Sequence, residues 1–175
     1  MLDMGFQEDL NKILTHIPAT RQTLLFSATM PEKIRALARK ILRDPAEINI
    51  AISKPPEKIV QKAFVVYESQ KMPLISHLLR ATPYKNAVVF CSRKQTVKEL
   101  TRNLKRSGFT VEEIHSDLEQ TVRENTLSAF ASGRVPLLVA TDIISRGIDI
   151  DTIDLVVNWD VPDDGEDYVH RIGRT

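Results

Sequence analysis

Two patterns of apolar positions alternate along the chain after residue 58. Short strand-like segments lie at 63–67, 87–90, 111–115, 137–140 and 155–159. Between them apolar residues recur every three or four positions, as in an amphipathic helix, at 72–80, 93–107 and 119–132. Strands and helices in alternation predict right-handed βαβ crossovers and a mostly parallel sheet with helices on both faces, which is an α/β fold.

The first 58 residues show the same two patterns over a shorter length. The predicted elements are, in order, a helix at 1–14, a strand at 23–26, a helix at 31–43 and a strand at 46–50. The polar stretch 51–58, with Pro55 and Pro56 at its centre, is typical of a linker. We therefore expect part of a first domain at 1–50, a linker at 51–58 and most of a second domain at 59–175.

The ends of the predicted helices carry their own signals. Ser92 and Asp117 each precede a Gln three residues later, which is the capping-box pattern of a helix N-terminus. Gly108 and Gly133 follow two predicted helices, where a left-handed residue commonly ends a helix. These signals predict where two helices begin and end.

Composition narrows the class of protein. The formal net charge of +1 provides no global attraction to phosphate, so any nucleic acid would bind to local patches. Cys91 is the only cysteine, which excludes an intramolecular disulfide or a zinc cluster and fits the reducing cytoplasm. The longest apolar runs are about five residues, far short of the roughly 20 that span a bilayer.

Polar residues follow three of the predicted strands. They are Ser27 and Thr29, Ser92 and Arg93, and Thr141 and Asp142. Because ligands of open parallel sheets bind beyond the carboxyl ends of the strands, this pattern predicts a ligand site at that edge. For Arg93, a phosphate contact and a solvated basic helix face are equally compatible with the sequence.

Single residues of this edge also have simpler interpretations. Thr141 and Asp142 could cap a helical turn, and Gly147 could provide a positive φ angle. His170, Arg171 and Arg174 follow a run of acidic residues, so they could simply offset the dipole of a short helix. Taken one by one, these residues do not define a function.

Taken together, three segments resemble a known family. The strings SAT at 27–29, ATDIISRGIDI at 140–150 and HRIGRT at 170–175 resemble motifs III, V and VI of the DEAD-box RNA helicases, in the same order along the chain. The resemblance implies a RecA-like parallel sheet flanked by helices at 59–175, preceded by part of a first RecA-like domain. It also implies ATP-dependent local unwinding of RNA duplexes or remodelling of RNA–protein complexes.

The resemblance assigns roles to individual residues. The implied RNA contacts, to the backbone and largely independent of base sequence, are Arg93, Gln120, Arg123, Thr141 and Arg146. ATP is expected at Asp149 and Gly147, and Gly147 also belongs to the RNA-contacting loop. The implied catalytic group is His170, Arg171 and Arg174, with Arg174 as an arginine finger. The implied coupling motif between the domains is Ser27, Ala28 and Thr29.

The sequence also departs from the family pattern. It has no phosphate-binding loop with a Gly-Lys pair, no D-E-A-D string and no further Gly-Arg after Thr175. Ser116 replaces a usual glycine, and Ile144 replaces a usual small residue. We therefore expect a fragment that is inactive alone, with Mg²⁺ bound mainly by first-domain residues outside this chain.

Two other functions remain open from the residues. One is a non-catalytic module that binds RNA or a partner through the same scaffold. The other is an unrelated nucleotide-binding α/β domain, which the fold alone permits. A phosphate loop and an acidic motif upstream in the whole protein would distinguish the helicase from the first of these.

Overall fold

The computed structural model describes residues 7–26, 30, 32–48, 59–142 and 153–173. The chain divides into two compact units, Met1–Ser53 and Lys54–Thr175. The linker predicted at 51–58 lies outside the described residues. Among the described residues, no helix has both the length and the apolar character that a membrane span requires.

The first unit contains two helices, α1 (Gln7–Thr15) and α2 (Glu32–Ile41). Helix α2 is amphipathic, because Leu37 is buried while Arg39 and Lys40 are exposed. Helix α2 lies within its predicted range of 31–43, and α1 ends one residue beyond its predicted range of 1–14, although residues 1–6 are outside the described part.

The strands predicted in the first unit are not found. Residues 23–26 form no strand, and Leu24 and Phe26 are 69% and 89% exposed. Residues 46–48 form no strand either, and 49–50 lie outside the described part. A strand needs a hydrogen-bonded neighbour, and the described residues of this unit contain no other strand with which these segments could pair.

The second unit is a four-stranded parallel sheet with helices on both faces, which confirms the predicted fold class. Its elements are α3 (Glu68–Ala81), β1 (Ala87–Phe90), α4 (Lys94–Arg106), β2 (Val111–Ile114), α5 (Gln120–Ala131), β3 (Leu137–Ala140), β4 (Leu155–Asn158) and α6 (Gly165–Ile172). The strand order is β2-β3-β1-β4, with every neighbouring pair parallel.

Alternate residues of the central strands bury their side chains on opposite faces of the sheet. Val89 packs with Leu100 and the rest of the first core cluster, to which α3 and α4 contribute. Val88 packs with Phe130 of α5 in the second cluster. Because β1 and β3 are buried on both faces, their sequences are continuously apolar, as expected of inner parallel strands.

The helix ends agree with the sequence in part. Gly108 and Gly133 have φ angles of 85° and 72°, so the predicted left-handed endings are confirmed. The capping boxes are wrong: the N-cap residues are Arg93 and Glu119, and neither side chain caps its helix. The Asp117 carboxylate, which would have capped α5, instead accepts hydrogen bonds from two lysines of α4.

The strand predicted at 63–67 is also wrong. This segment forms no strand in the described part of the chain, and Val65 and Tyr67 are largely exposed. Helix α3 begins at Glu68, one turn earlier than predicted, with the Gln70 side chain accepting the Tyr67 N–H at 3.0 Å. The backbone N–H of Tyr67, at the N-terminus of α3, has no backbone acceptor within the helix. The Gln70 side chain accepts it, which favours a helix that begins at Glu68.

Candidate functional site at the carboxyl edge of the sheet

The register of the sheet brings the carboxyl ends of all four strands to one edge. Phe90 of β1 lies beside Ala140 of β3 and Asn158 of β4, and Ala140 also lies beside Ile114 of β2. The segments that leave these strands are 91–93, 115–119, 141–142 and 159–164. Polar residues from distant parts of the sequence therefore meet at the edge where parallel sheets bind ligands.

Arg171 of α6 lies at the centre of this edge. Its side chain is only 1% exposed, although a guanidinium group is a cation with five N–H donors that need partners. Its Nε donates to Asp142 Oδ1 at 2.5 Å and its Nη2 donates to Asp142 Oδ2 at 2.8 Å. This bidentate geometry is the strongest form of arginine–carboxylate pair.

The remaining contacts of Arg171 reach two further strands. Nη1 donates to Asn158 Oδ1 at 3.1 Å and to the backbone oxygen of Asp160 at 2.8 Å. The guanidinium also stands over the Phe90 ring, 5.4 Å from its centroid, at a distance typical of a cation–π interaction. Arg171 thereby joins α6 to residues at the ends of β1, β3 and β4.

Asp160 extends this network to the segment after β1. Its carboxylate accepts the backbone N–H of Ser92 at 3.0 Å and lies 3.9 Å from Lys71 Nζ. Lys71 in turn stands 5.4 Å from the centroid of the Trp159 ring. The backbone that leads into Arg93 is thus attached to the same cluster as Arg171. We call Arg171, Asp142, Asn158 and Asp160 the arginine cluster.

Cys91 is buried at the base of this edge. Burial, and secondly the negative charge of Asp160, raise the pKa of its thiol to about 12. The thiol is therefore protonated at neutral pH and acts as a small apolar side chain.

A second cluster of charges lies between α4 and the loop after β2. The Asp117 carboxylate accepts hydrogen bonds from Lys94 Nζ at 2.8 Å and from Lys98 Nζ at 2.9 Å. These bonds, Lys94 first and then Lys98, lower the pKa of Asp117 to about 2. The three side chains are 38% to 57% exposed, so water screens the pairs. We call these three residues the lysine cluster.

The predicted RNA contacts on α4 and α5 lie close to this second cluster in sequence. Arg93 is exposed at the N-cap of α4, and no bond to its guanidinium is found within the described residues. In the first turn of α5 Arg123 donates to the Gln120 side-chain oxygen, and the Gln120 amide donates to Glu124 at 2.8 Å. Ser116, where the family has glycine, is exposed in the loop before Asp117.

Thr141 and His170 contribute buried polar atoms. The Thr141 N–H donates to the Ile114 oxygen at 3.2 Å. Its hydroxyl oxygen and the Nδ1 of His170 are buried without hydrogen-bond partners among the described residues. An unpaired buried polar atom is costly, and both atoms belong to residues that the sequence assigned to the site.

The structure therefore describes six of the predicted site residues, namely Arg93, Gln120, Arg123, Thr141, His170 and Arg171. The others lie outside the described residues: Ser27, Ala28, Thr29, Arg146, Gly147, Asp149 and Arg174. No group of three or more His, Cys, Asp or Glu side chains that could hold a metal ion is found in the described part of the chain.

The sequence analysis missed Asn158, Asp160 and the ion pairs of Asp117. A signal for the first two was available, since Asn158 ends an apolar strand and Asp160 follows it, much as Thr141 and Asp142 follow β3. The ion pairs had no such signal, because Asp117 and Lys98 are 19 residues apart and meet only in the folded chain.

Comparison with known families gives two matches on the chain. The family described as "Helicase conserved C-terminal domain" matches residues 70–175. The family described as "DEAD/DEAH box helicase" matches residues 1–37. The first match covers more than half of the chain and includes the whole sheet.

Curated relatives match over the full chain. An "ATP-dependent RNA helicase CshA" of Listeria monocytogenes is 44% identical over all of this chain, which covers 34% of that protein. The "DEAD-box ATP-dependent RNA helicase 14" of Arabidopsis thaliana is also 44% identical, with 29% of its length covered. The chain thus spans about a third of the length of these relatives.

Solved structures show the same likeness. Yeast Dbp5, solved "bound to RNA and ADP BeF3", superposes with a TM-score of 0.81 at 29% identity, over 97% of this chain and 46% of that one. A "DEAD box protein" from the hyperthermophile Methanococcus jannaschii has a TM-score of 0.65 at 39% identity, over 100% of this chain and 47% of that one.

Proposed function

The chain belongs to the DEAD-box helicase family, and we propose that the protein containing it is an ATP-dependent RNA helicase. In this proposal the protein couples ATP hydrolysis to local unwinding of RNA duplexes or to remodelling of RNA–protein complexes. Residues 1–50 belong to a first RecA-like domain and 59–175 to a second. The observation that carries the proposal is the collection of polar and basic residues from four loops at the carboxyl edge of the sheet.

The proposed RNA contacts lie on two helix N-termini and one loop. Arg93 presents a solvent-exposed guanidinium at the start of α4, and Gln120 and Arg123 lie in the first turn of α5. Arginine side chains and helix N-terminal N–H groups are both suited to phosphate oxygens. RNA backbone would therefore bind along these helix ends with little dependence on base sequence, together with Thr141 and Arg146.

The proposed nucleotide contacts come from other residues of the segments that resemble motifs V and VI. Asp149 and Gly147 are assigned to ATP, and Arg174 is assigned as the finger that stabilises charge on the transferred phosphoryl group. His170 is assigned to the link with the first domain and with the coupling residues Ser27, Ala28 and Thr29. Mg²⁺ accompanies ATP, and we assign its ligands to first-domain residues outside this chain.

We test the catalytic role with RNA-stimulated ATP hydrolysis by the intact protein that contains this chain. Arg174→Ala is compared with Arg106→Ala, since Arg106 is exposed on the helix α4 and has no assigned role. Loss of a finger arginine lowers the rate by roughly 10³-fold in well-studied NTPases. The proposal expects such a loss for Arg174→Ala with RNA binding retained, and unaltered turnover for Arg106→Ala.

A different result would favour another function. If the intact protein binds RNA but hydrolyses no ATP with or without it, the non-catalytic RNA-binding module replaces the helicase. If it does neither, the family scaffold serves some other ligand.

The RNA interface has a separate test. Arg93→Ala should weaken binding of single-stranded RNA similarly for all base sequences and reduce the slope of log affinity against log salt by about one. Arg106→Ala again provides the matched control. An unaltered salt slope for Arg93→Ala would remove Arg93 from the proposed interface.

The proposed location is the cytoplasm. Cys91 is buried as a free thiol, and free thiols are typical of a reducing compartment.

A further inference from the structure

Arg171 is the arginine of the predicted catalytic group that lies among the described residues, where the contacts of its guanidinium are seen. An arginine that binds a phosphate must offer N–H donors to the ligand. Arg171 uses its Nε, Nη1 and Nη2 atoms in four hydrogen bonds within the protein, and its side chain is 1% exposed. To bind the γ-phosphate, it would have to break its bidentate pair with Asp142, which is unfavourable for a guanidinium that is 1% exposed.

The partners of Arg171 lie next to residues of both proposed ligand sites. Asp142 directly follows Thr141, which is assigned to RNA. Asp160 accepts the N–H of Ser92, which directly precedes Arg93, also assigned to RNA. Along the chain Arg171 directly follows His170, assigned to the link with the first domain, and precedes Arg174, assigned to the nucleotide, by three residues.

We propose that Arg171 is a positioning residue that couples the RNA-binding loops to the nucleotide-binding motif on α6, and that it does not itself bind ATP. This inference rests on the proposed function. Because the guanidinium is planar and held at both edges, a shift of the loop after β3 is transmitted to α6 as long as the bidentate pair is intact. RNA bound at Thr141 and Arg93 thereby favours the orientation of α6 in which His170 and Arg174 face the nucleotide.

The test is a double-mutant cycle in the intact protein. The variants are Arg171→Lys, Asp142→Asn and the combination, with Arg106→Lys as the matched control on an exposed arginine. Lysine keeps the positive charge of Arg171 but cannot donate two parallel hydrogen bonds to one carboxylate. Asparagine keeps the shape of Asp142 but loses its negative charge. For each variant we would measure basal and RNA-stimulated kcat, KM for ATP, the RNA concentration for half-maximal stimulation, and the thermal unfolding midpoint.

The proposal expects both single variants to lose RNA stimulation, by between about twofold and about thirtyfold, the range found for residues that couple two sites without touching either ligand. KM for ATP should stay near the value of the unaltered protein, so that the loss is seen in the kcat measured with RNA. The double variant should be no worse than the worse single variant, since both substitutions break the same pair. Arg106→Lys should change none of these quantities.

Three results would overturn the proposal. The first is a rise in KM for ATP in Arg171→Lys with normal kinetics in Asp142→Asn, which indicates direct contact between Arg171 and the nucleotide. The second is a double variant whose loss of RNA stimulation equals the product of the losses in the two single variants. The third is normal RNA stimulation in all variants. An unaltered protein without RNA-stimulated hydrolysis would instead contradict the proposed function itself, and the coupling role with it.

Asn158→Ala provides a milder perturbation if the charged variants fail to fold. It removes one neutral acceptor of Arg171 at 3.1 Å and leaves the bidentate pair with Asp142. The expected result is a partial loss of RNA stimulation at an unaltered KM for ATP. Full RNA stimulation in a folded Asn158→Ala protein would contradict the coupling role.

Discussion

The arginine cluster and the lysine cluster each pair basic side chains with a carboxylate at the same edge of the sheet, but they differ in burial. In the first, Arg171 is 1% exposed and its carboxylate partner Asp142 is 38% exposed. In the second, Lys94 and Lys98 are 57% and 39% exposed around an Asp117 that is itself 38% exposed. A buried cation depends on its partner, whereas water can replace the partner of an exposed one. The first cluster therefore constrains the fold, and the second adjusts local charge.

The largest difference should be seen when the central cation of the arginine cluster is removed. Arg171→Met removes the guanidinium that donates to Asp142, Asn158 and the Asp160 carbonyl. Breaking a buried pair costs roughly 3–5 kcal/mol, and we expect about 3 kcal/mol because Asp142 is partly exposed. Chemical denaturation measures this free energy of unfolding. Arg106→Met, on an exposed face, should change it by less than about 0.5 kcal/mol.

An intermediate effect is expected at the border of the arginine cluster. Asp160→Ala removes the acceptor of the Ser92 N–H at 3.0 Å but keeps the backbone oxygen that binds Arg171. The free energy of unfolding should fall by about 1 kcal/mol, the net contribution of one hydrogen bond. The amide of Ser92 should exchange with solvent faster in the variant. An exchange rate equal to that of the unaltered protein would mean that Asp160 does not hold this segment.

Mutation of the lysine cluster should change the stability of the protein only slightly, and this change should depend strongly on salt concentration. Asp117→Asn should shift the unfolding midpoint only slightly at low ionic strength, and the difference should disappear at about 1 M salt, where screening acts within about 3 Å. Lys98→Gln provides a control that removes one of the two cations. A large, salt-independent loss in Asp117→Asn would show that this cluster is structural as well.

The smallest expected effect is a dependence of stability on pH that is seen only at acidic pH. The pKa of Asp117 is lowered from 3.8 to about 2 by Lys94 and Lys98, so its charged form is favoured in the folded protein. The stabilisation is complete above pH 3.8 and is lost as the pH falls through about 2. The stability curves of the unaltered protein and Asp117→Asn should therefore converge in this window. Curves that stay parallel down to pH 2 would contradict the pairing.

The sequence predicted the second unit much better than the first. Continuous apolar runs such as 87–90 and 137–140 identified buried parallel strands, since burial on both faces leaves no polar position. The same reasoning failed at 23–26 and 63–67, because strand formation depends on a neighbouring strand that local sequence does not specify.

The candidate site was predictable in position but not in its contacts. Polar residues after apolar strands indicated the carboxyl edge, and motif resemblance selected Arg171. Its burial and its bond to Asp142, 29 residues away, follow only from the register of the sheet and the placement of α6. For the same reason, a capping box was predicted at Asp117, whose carboxylate in fact binds lysines on another helix.

Reactivity of the arginines in the unaltered intact protein tests the difference between buried and exposed cations most directly. Phenylglyoxal modification, mapped by peptide mass spectrometry, would be compared without ligand, with RNA and with a non-hydrolysable ATP analogue. The account predicts that Arg171 stays unmodified in all three states, while Arg93 reacts in the free protein and is protected by RNA. Modification of Arg171 in the free protein as fast as Arg93, with protection by the ATP analogue, would contradict it.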